Sequence, residues 1–136
     1  MTEADYAVPG LQDVPATWRP IVVKLLAYAE QRGLHCYRRD GGWTVKKRHH
    51  VIFQLRVHKH PAGVVPQLYY FRMWNDPALV DEFQHRLSGL IDVPKLNFPT
   101  VSMEKLQAQP EVLAQLCDTF DWFLEQTRER ASATRE

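Results

Sequence analysis

The side chains with the clearest potential for binding chemistry are cations and aromatic rings in the middle of this sequence. Residues 32–60 contain eight Lys or Arg and one Asp, a formal charge of +7, whereas the whole chain of 136 residues has a net charge of +1. Between Gly41 and Asn75 no acidic residue occurs. Lysine and arginine bind phosphates by displacing counterions, and aromatic rings stack on bases. The segment therefore predicts a surface for an anionic partner.

Ten basic and aromatic residues form this predicted nucleic-acid or anion site. They are Tyr37, Arg39, Lys46, Lys47, Arg48, Arg56, His58, Tyr70, Arg72 and Trp74. Their mixture of positive charge and flat rings suits single-stranded or flexible nucleic acid. The alternative is that the cations keep a half-exposed sheet soluble, while Tyr70 and Trp74 pack under the C-terminal helix or against a partner. A sequence pI of about 7.8 is low for a dedicated DNA-binding domain and favours the alternative.

A second candidate surface, for protein contacts, lies on the predicted C-terminal helix. Trp122 falls about 80° outside the apolar arc of that helix at 100° per residue. The polar residues around it are Glu111, Gln115 and Asp118. Because Trp is enriched at the centres of protein interfaces, these residues predict an interface with a protein partner or a second copy. The alternative is that Tyr6 or Leu11 of the N-terminal arm folds over Trp122.

Histidines are concentrated in one stretch, yet they do not form a metal-binding pattern. His49, His50, His58 and His60 lie within twelve residues. Zinc sites usually need three or four ligands in fixed spacing, and neither Cys36 nor a nearby carboxylate completes such a set. A single Glu-x-x-His pattern at Glu82 and His85 would need a facing second copy to hold two metals. We expect no metal site and no cofactor.

Residue patterns typical of catalysis are also missing. His35 and Cys36 are adjacent on a predicted strand, so their side chains leave opposite faces and cannot share a proton. The six glycines never adopt the spacing of a phosphate-binding loop. A magnesium-dependent nuclease needs carboxylates on central strands, where this sequence has Gln54-Leu55-Arg56. We therefore expect no catalytic residue.

Hydrophobic periodicity predicts three helices that must support these surfaces. The first spans about 17–32, with Thr17 as its N-cap and Gly33 at its end. The second starts at an Asx-Pro cap and runs over about 77–91, and the third over about 110–130.

Alternation and turn residues predict the strands. Asp40-Gly41 is a two-residue hairpin turn, and the register it predicts pairs Arg38 with Trp43, Cys36 with Val45 and Leu34 with Lys47. A third strand over 51–58 and a fourth over 67–74 follow, separated by a break that contains Pro61, Gly63 and Pro66. In the third strand one predicted face is apolar, with Val51, Phe53, Leu55 and Val57, and the other carries Ile52, Gln54, Arg56 and His58.

These elements predict one two-layer α+β domain, an antiparallel four-stranded meander packed by three helices in the order α-ββββ-α-(β)-α. The segment 96–101 forms a fifth strand or an extended connection, and Pro99 restricts such a strand to an edge. Residues 1–15 are expected to be an N-terminal arm, 16–130 the domain and 131–136 a frayed tail. The helices should cover the apolar face of the sheet and leave the cationic face open.

Composition also bears on location and on function class. No apolar run approaches the roughly 20 residues that cross a bilayer, the first residues do not resemble a secretory signal, and two cysteines are too few for a disulfide scaffold. We expect a cytoplasmic protein without a membrane partner. The function expected is that of a non-enzymatic interaction or regulatory protein, which docks on a protein partner or itself. The alternative is a nucleic-acid-binding protein that uses the basic and aromatic sheet face.

Overall fold

The computed structural model describes residues 11–39, 41–47, 50–58, 62–66, 77–94 and 99–135. A 3-10 turn at Leu11–Asp13 precedes the main elements. In chain order these are α1 (Arg19–Gln31), β1 (His35–Arg39), β2 (Gly42–Lys47), β3 (His50–Arg56), β4 (Gly63–Pro66), α2 (Pro77–Leu87), β5 (Val93–Pro94), β6 (Pro99–Ser102), α3 (Met103–Ala108) and α4 (Pro110–Arg135). The strands form an antiparallel sheet in the order β1-β2-β3-β4-β6-β5. The predicted α+β class is confirmed, with six strands and four helices among the described residues.

The first predicted helix forms as α1, with a proline in its first turn. Thr17 is not its N-cap. The N-cap residue is Trp18, whose N–H donates to the Pro15 carbonyl, and no side chain caps the helix. Gly33 follows the end of the helix as predicted, with a φ of +73° that other residues rarely adopt. The N–H of Gly33 donates to the Glu30 carbonyl, and the chain then turns into β1.

The first hairpin has the register that its turn residues predict. Cys36 lies opposite Val45, and Arg38 lies opposite Trp43. Trp43 and Val45 share one face of β2, and their side chains are 3% and 0% exposed and belong to the core. The alternate residues of β1 and β2 therefore lie on the face away from the core, which we call the outer face.

A bulge between β2 and β3 alters the predicted alternation of the third strand. Val45 pairs with Phe53 and Lys46 pairs with Val51, so Ile52 has no residue of its own opposite it. One extra residue exchanges the faces of everything beyond it. Ile52, predicted to face outward, is fully buried in the core, whereas Val51 pairs with Lys46 on the outer face. The predicted faces are wrong for these two residues.

The fourth strand lies where a break was predicted. β4 occupies Gly63–Pro66 and pairs with β3, with Val64 opposite Leu55 and Gly63 opposite Arg56. Pro66 is tolerated because, among the described strands, this end of β4 pairs with β3 alone, since the pairing with β6 involves only Gly63 and Val64. A Cβ atom at Gly63 would lie 2.1 Å from the Val101 carbonyl oxygen, so a glycine here marks close packing of strands rather than a break. The predicted strand over 67–74 lies outside the described residues.

The strand predicted near Pro99 exists as β6, but it is not an edge. It lies between β4 and β5 and pairs with both. Pro99 is its first residue and faces Pro94 of β5, while pairing with β4 uses only Val101 and Ser102. The missing N–H of Pro99 is therefore not needed in the β4 ladder.

The short helix α3, which the sequence analysis did not predict, begins directly after β6. The hydroxyl of Ser102 caps it by accepting from the Lys105 N–H at 3.1 Å. The Asp92 carboxylate in turn accepts hydrogen bonds from the Ser102 N–H and hydroxyl. This link ties the turn before β5 to the start of α3.

The core lies between the inner face of the sheet and the long helices. Residues of α1, α2 and α4 join the inner-face residues of β2, β3, β4 and β6 in one apolar cluster. Phe120 of α4 stacks on Phe53 of β3 with ring centroids 4.9 Å apart, and Phe83 of α2 stacks on Phe123 at 4.3 Å. α4 continues to Arg135, beyond the end predicted near residue 130. In the part of the chain that the structure describes, no helix is both long and apolar enough to span a bilayer.

Candidate functional site

The first hairpin brings four of the basic and aromatic residues together on the outer face. His35, Tyr37 and Arg39 alternate along β1, so they share one face of the strand. Lys46 of β2 lies directly opposite His35 and next to Tyr37 on the same face. We call these four residues the Tyr37 cluster. Tyr37, Arg39 and Lys46 are three of the predicted site residues, and the alternation of side chains along β1 places His35 beside them.

The cluster is organised around the tyrosine ring. The Arg39 guanidinium carbon lies 5.7 Å from the ring centroid, and the Lys46 Nζ lies 5.4 Å from it. The imidazole of His35 is tilted against the ring with centroids 6.4 Å apart. Tyr37 is 42% exposed and is the one exposed large hydrophobic residue among those described. Cations within about 6 Å of an aromatic face attract it by about 0.5–1 kcal/mol at exposed sites, so the cluster is a defined arrangement with an accessible ring.

No acidic side chain neutralises this cluster within the described residues. The two ion pairs found there join Arg32 to Asp121 and Arg86 to Glu82, both away from the hairpin. Cys36 lies on the opposite face of β1 from the cluster. There the pKa of the Cys36 thiol is raised, mainly by desolvation and secondarily by the Glu30 carboxylate. Among the described residues, the cations of the Tyr37 cluster thus have no acidic partner.

Arg38 takes no part in the cluster although it lies between two of its members. Its guanidinium carbon lies 4.8 Å above the Trp43 ring, and its Nη1 donates to the carbonyls of Arg39 and Gly42 at 2.9 and 2.8 Å. The Arg38 side chain therefore lies at the hairpin turn on the inner face and packs over the Trp43 ring.

The expectation of a continuous open cationic face is wrong beyond the first hairpin. Thr44 and Val65, which the register places on the outer face, are 6% and 0% exposed. Gln54 lies between them in the register and is half-buried. All five residues of β1 are exposed. The outer face is therefore accessible along β1 and covered toward the centre of the sheet, so β1 and its neighbour Lys46 provide the open part.

The remaining predicted site residues do not extend the cluster. Lys47 and Arg56 are half-buried, and His58 is exposed after the end of β3. In the register Arg56 stands between Gly42 and Gly63, one strand away from the cluster. Four of the predicted residues lie outside the described residues: Arg48, Tyr70, Arg72 and Trp74.

The predicted protein interface on α4 is only partly exposed. Trp122 is half-buried and packs against the core cluster, and the Arg86 guanidinium of α2 lies 4.0 Å from its ring centroid. The cover for Trp122 within the described residues thus comes from α2, whereas Tyr6 lies outside them. Glu111, Gln115 and Asp118 are exposed on α4.

Metal-ligand chemistry finds no support among the described residues, where no three His, Cys, Asp or Glu side chains come close enough to hold an ion. Of the clustered histidines, His49 and His60 lie outside that part of the chain. The cysteines are free; Cys36 is exposed, and Cys117 is half-buried on α4. Burial raises the pKa of Cys117 to about 11, so this thiol is protonated at neutral pH.

The structure adds one feature that residue types alone did not indicate, the free lateral edge of β1. β1 is the first strand in the sheet order and pairs only with β2 among the described strands. The signal was present in the sequence, since a strand that follows a helix and enters a hairpin meander has one neighbour unless a later strand returns to it. The predicted meander therefore implied an edge at its first strand. No protein-family model, no curated protein and no solved structure matches this chain.

Proposed function

We propose that this chain is a binding protein rather than an enzyme, and that its Tyr37 cluster contacts an acidic region of a partner protein. One observation carries the proposal: an exposed tyrosine is flanked by two cations, with no acidic side chain of the described residues paired to them. Exposed aromatic and arginine side chains are the residue types most enriched at interface hot spots. The charge of the cluster selects a partner of opposite sign.

The dimensions of the accessible surface favour a protein segment over a nucleic acid. The five residues of β1 span roughly 17 Å at about 3.3 Å per residue, and two strands are about 10 Å wide. That strip is far smaller than the roughly 600–1,000 Å² that even a single DNA-binding module buries. A narrow strip suits an extended peptide, whereas a nucleic acid would need the cations of the covered central strands as well.

Nucleic-acid binding remains the second candidate function, and the accessible ring of Tyr37 favours it. A base stacked on an aromatic ring contributes about 1–3 kcal/mol regardless of its identity. Arg39 and Lys46 would then contact the flanking phosphates. This candidate predicts a strong dependence of affinity on salt and on the tyrosine ring, with little dependence on sequence.

The α4 surface supports the proposal less directly. Its exposed polar residues, Glu111, Gln115 and Asp118, are available for contact, but Trp122 is engaged with Arg86 and the core. A docking role of this surface, or self-association through it, stays a prediction.

The test compares two fluorescently labelled probes by anisotropy, a glutamate-rich octapeptide and a single-stranded oligonucleotide, at low and physiological salt. The variant Arg39→Gln/Lys46→Gln removes two charges from the cluster. Its matched control, Lys24→Gln/Lys105→Gln, removes two charges from α1 and α3, away from the hairpin. We expect peptide binding that weakens at least fivefold in the cluster variant and less than twofold in the control.

Equal weakening by both variants would mean that net charge, not the cluster, attracts the peptide, and would overturn the proposal. Binding of the oligonucleotide but not of the peptide would overturn it in favour of the second candidate. Thermal unfolding of both variants checks that the hairpin remains folded.

A further inference from the structure

We infer that the partner binds by strand addition, as an extended acidic segment that pairs with the free backbone edge of β1 and extends the six-stranded sheet. The inference rests on the proposed function and specifies how the partner is recognised. Main-chain hydrogen bonds to an exposed sheet edge provide affinity in this mode, and alternate side chains provide specificity.

The register of the hairpin determines which backbone groups face outward. Arg39 pairs with Gly42, with two residues between them in the sequence, and residues that flank a two-residue hairpin connection hydrogen-bond to each other. Hydrogen-bonded pairs alternate with non-bonded pairs in an antiparallel ladder. Arg39, Tyr37 and His35 therefore bond to β2, which leaves the N–H and C=O groups of Cys36 and Arg38 directed away from the sheet.

These outward groups are accessible. Within the described residues no backbone group outside the hairpin hydrogen-bonds to Cys36 or Arg38. The side chains along the strand are exposed from His35 to Arg39. The edge thus offers two residues, each with one donor and one acceptor, over a length that a partner segment of four or five residues can match.

Charge distinguishes an acidic partner from a second copy of the chain. Antiparallel pairing of two β1 edges would place the Arg38 and Arg39 side chains of both copies on neighbouring strands, with Lys46 of each copy one strand further out. Like charges on neighbouring strands destabilise a sheet, and charged edge strands are a common means of preventing such self-pairing. An acidic segment reverses the sign of the same interaction.

The two faces of β1 also predict the pattern of the partner segment. On the outer face the added strand would meet the Tyr37 cluster, which favours Glu or Asp. On the inner face it would lie near Cys36, where the Glu30 carboxylate of α1 acts, and Arg38 is turned toward the hairpin carbonyls. We therefore expect acidic and neutral residues to alternate in the partner.

The experiment uses a capped octapeptide of alternating Glu and Thr and two N-methylated forms of it, one methylated on the Thr amides and one on the Glu amides. All three have the same charge. In antiparallel addition the Glu side chains face the Tyr37 cluster and the Thr amides point to β1. Methylation of the Thr amides should weaken binding at least tenfold, and methylation of the Glu amides less than twofold. The opposite asymmetry would support addition in the parallel direction.

Amide hydrogen exchange of the intact protein with the unmethylated peptide gives a second measurement. Exchange should slow at least tenfold at Cys36 and Arg38, and little at Tyr37 and Arg39, whose amides already bond to β2. Equal affinity of the two methylated peptides, or unchanged exchange at Cys36 and Arg38, would overturn strand addition while leaving the proposed function in place. Absence of binding by every peptide would overturn both.

Discussion

The phenol of Tyr28 donates a hydrogen bond of 2.7 Å to Oδ1 of Asp121 and joins the first long helix to the last. Arg32, one turn further along α1, donates from Nε and Nη2 to the same carboxylate at 2.8 and 2.9 Å. Its guanidinium carbon also lies 4.1 Å from the Tyr28 ring centroid. Burial, and then the hydrogen bond to Asp121, hold the pKa of Tyr28 far above its usual value. The phenol therefore stays protonated, and a hydrogen-bond donor, at neutral pH.

We predict that Tyr28→Phe destabilises the protein by about 1 kcal/mol, the usual net contribution of a hydrogen bond. The ring stays in place because Phe keeps its shape, but the donor to Asp121 and to the Cys117 carbonyl is lost. Chemical denaturation measures the loss as a lower free energy of unfolding, and the m-value should equal that of the wild type. A change below about 0.3 kcal/mol would show that water replaces the phenol without cost.

The carboxylate of Asp121 should also make the stability of the protein depend on pH. The hydrogen bonds from Arg32, and to a lesser extent from Tyr28, hold the pKa of Asp121 below its usual value. A carboxyl whose folded pKa is depressed contributes stability above its unfolded pKa, near 3.9, and that contribution is lost as pH falls through the folded value. The difference in unfolding free energy between wild type and Asp121→Asn should therefore be constant from pH 5 to 7 and shrink below about pH 4. A difference that is independent of pH would contradict this assignment.

A third prediction concerns the close approach of strands at Gly42. A Cβ atom there would lie 1.8 Å from the Leu55 carbonyl oxygen, and backbone atoms cannot yield as a flexible side chain can. We expect Gly42→Ala to destabilise the protein by about 3 kcal/mol or more, at the upper end of point-mutation effects. Gly89→Ala is the matched control, since a Cβ at Gly89 meets nothing within 4 Å.

Thermal unfolding of the two variants provides the comparison. The control should change stability by less than about 0.5 kcal/mol. Equal effects of the two substitutions would mean that the strands separate freely at this point, and that the close contact between β2 and β3 does not constrain the sheet.

A fourth prediction addresses Trp122. Because the indole is half-buried against the core and stacked on Arg86, Trp122→Ala should destabilise the folded monomer by about 2–3 kcal/mol, somewhat less than full truncation of a buried aromatic residue. Asp118→Ala, on the exposed side of the same helix, should stay within about 0.5 kcal/mol. Light scattering of the wild type and both variants shows whether the tryptophan also holds copies together. Loss of mass on Trp122→Ala without loss of stability would reassign the residue to an interface.

The parts of the fold that the sequence predicts well are those that short-range chemistry decides. The Asp40-Gly41 turn gives the hairpin register, and Gly33 marks the end of α1. The errors arise where distant strands decide the outcome. Nothing local distinguishes Gly63 to Pro66 from a break, because its glycine is required by the neighbouring strand β6. The bulge that buries Ile52 likewise depends on how β2 and β3 pair, and the sequence of β3 alone does not reveal it.

The candidate site shows the same division. The hairpin brings together Tyr37, Arg39 and Lys46, and its turn can be predicted from the sequence. Whether the rest of the outer face is open depends on the whole chain, and Thr44 and Val65 prove to be buried. Alternation of polar and apolar residues predicts which face a side chain is on, but not whether that face is covered.

A last prediction compares the two thiols. Burial, assisted by the charge of Asp121, raises the pKa of Cys117 to about 11, and only the thiolate reacts with disulfide reagents. At pH 8 about 0.1% of such a thiol is ionised, against roughly a quarter of an ordinary thiol with a pKa near 8.5. In Cys36→Ser, which leaves Cys117 alone, modification by a disulfide reagent should be at least a hundredfold slower than for free cysteine. The rate should rise about tenfold per pH unit up to pH 10.

In Cys117→Ser the exposed Cys36, whose pKa is also raised, should react faster than Cys117 but more slowly than free cysteine. A Cys117 rate equal to that of the urea-unfolded chain would contradict its burial against α1, and with it the contact between Tyr28 and Asp121.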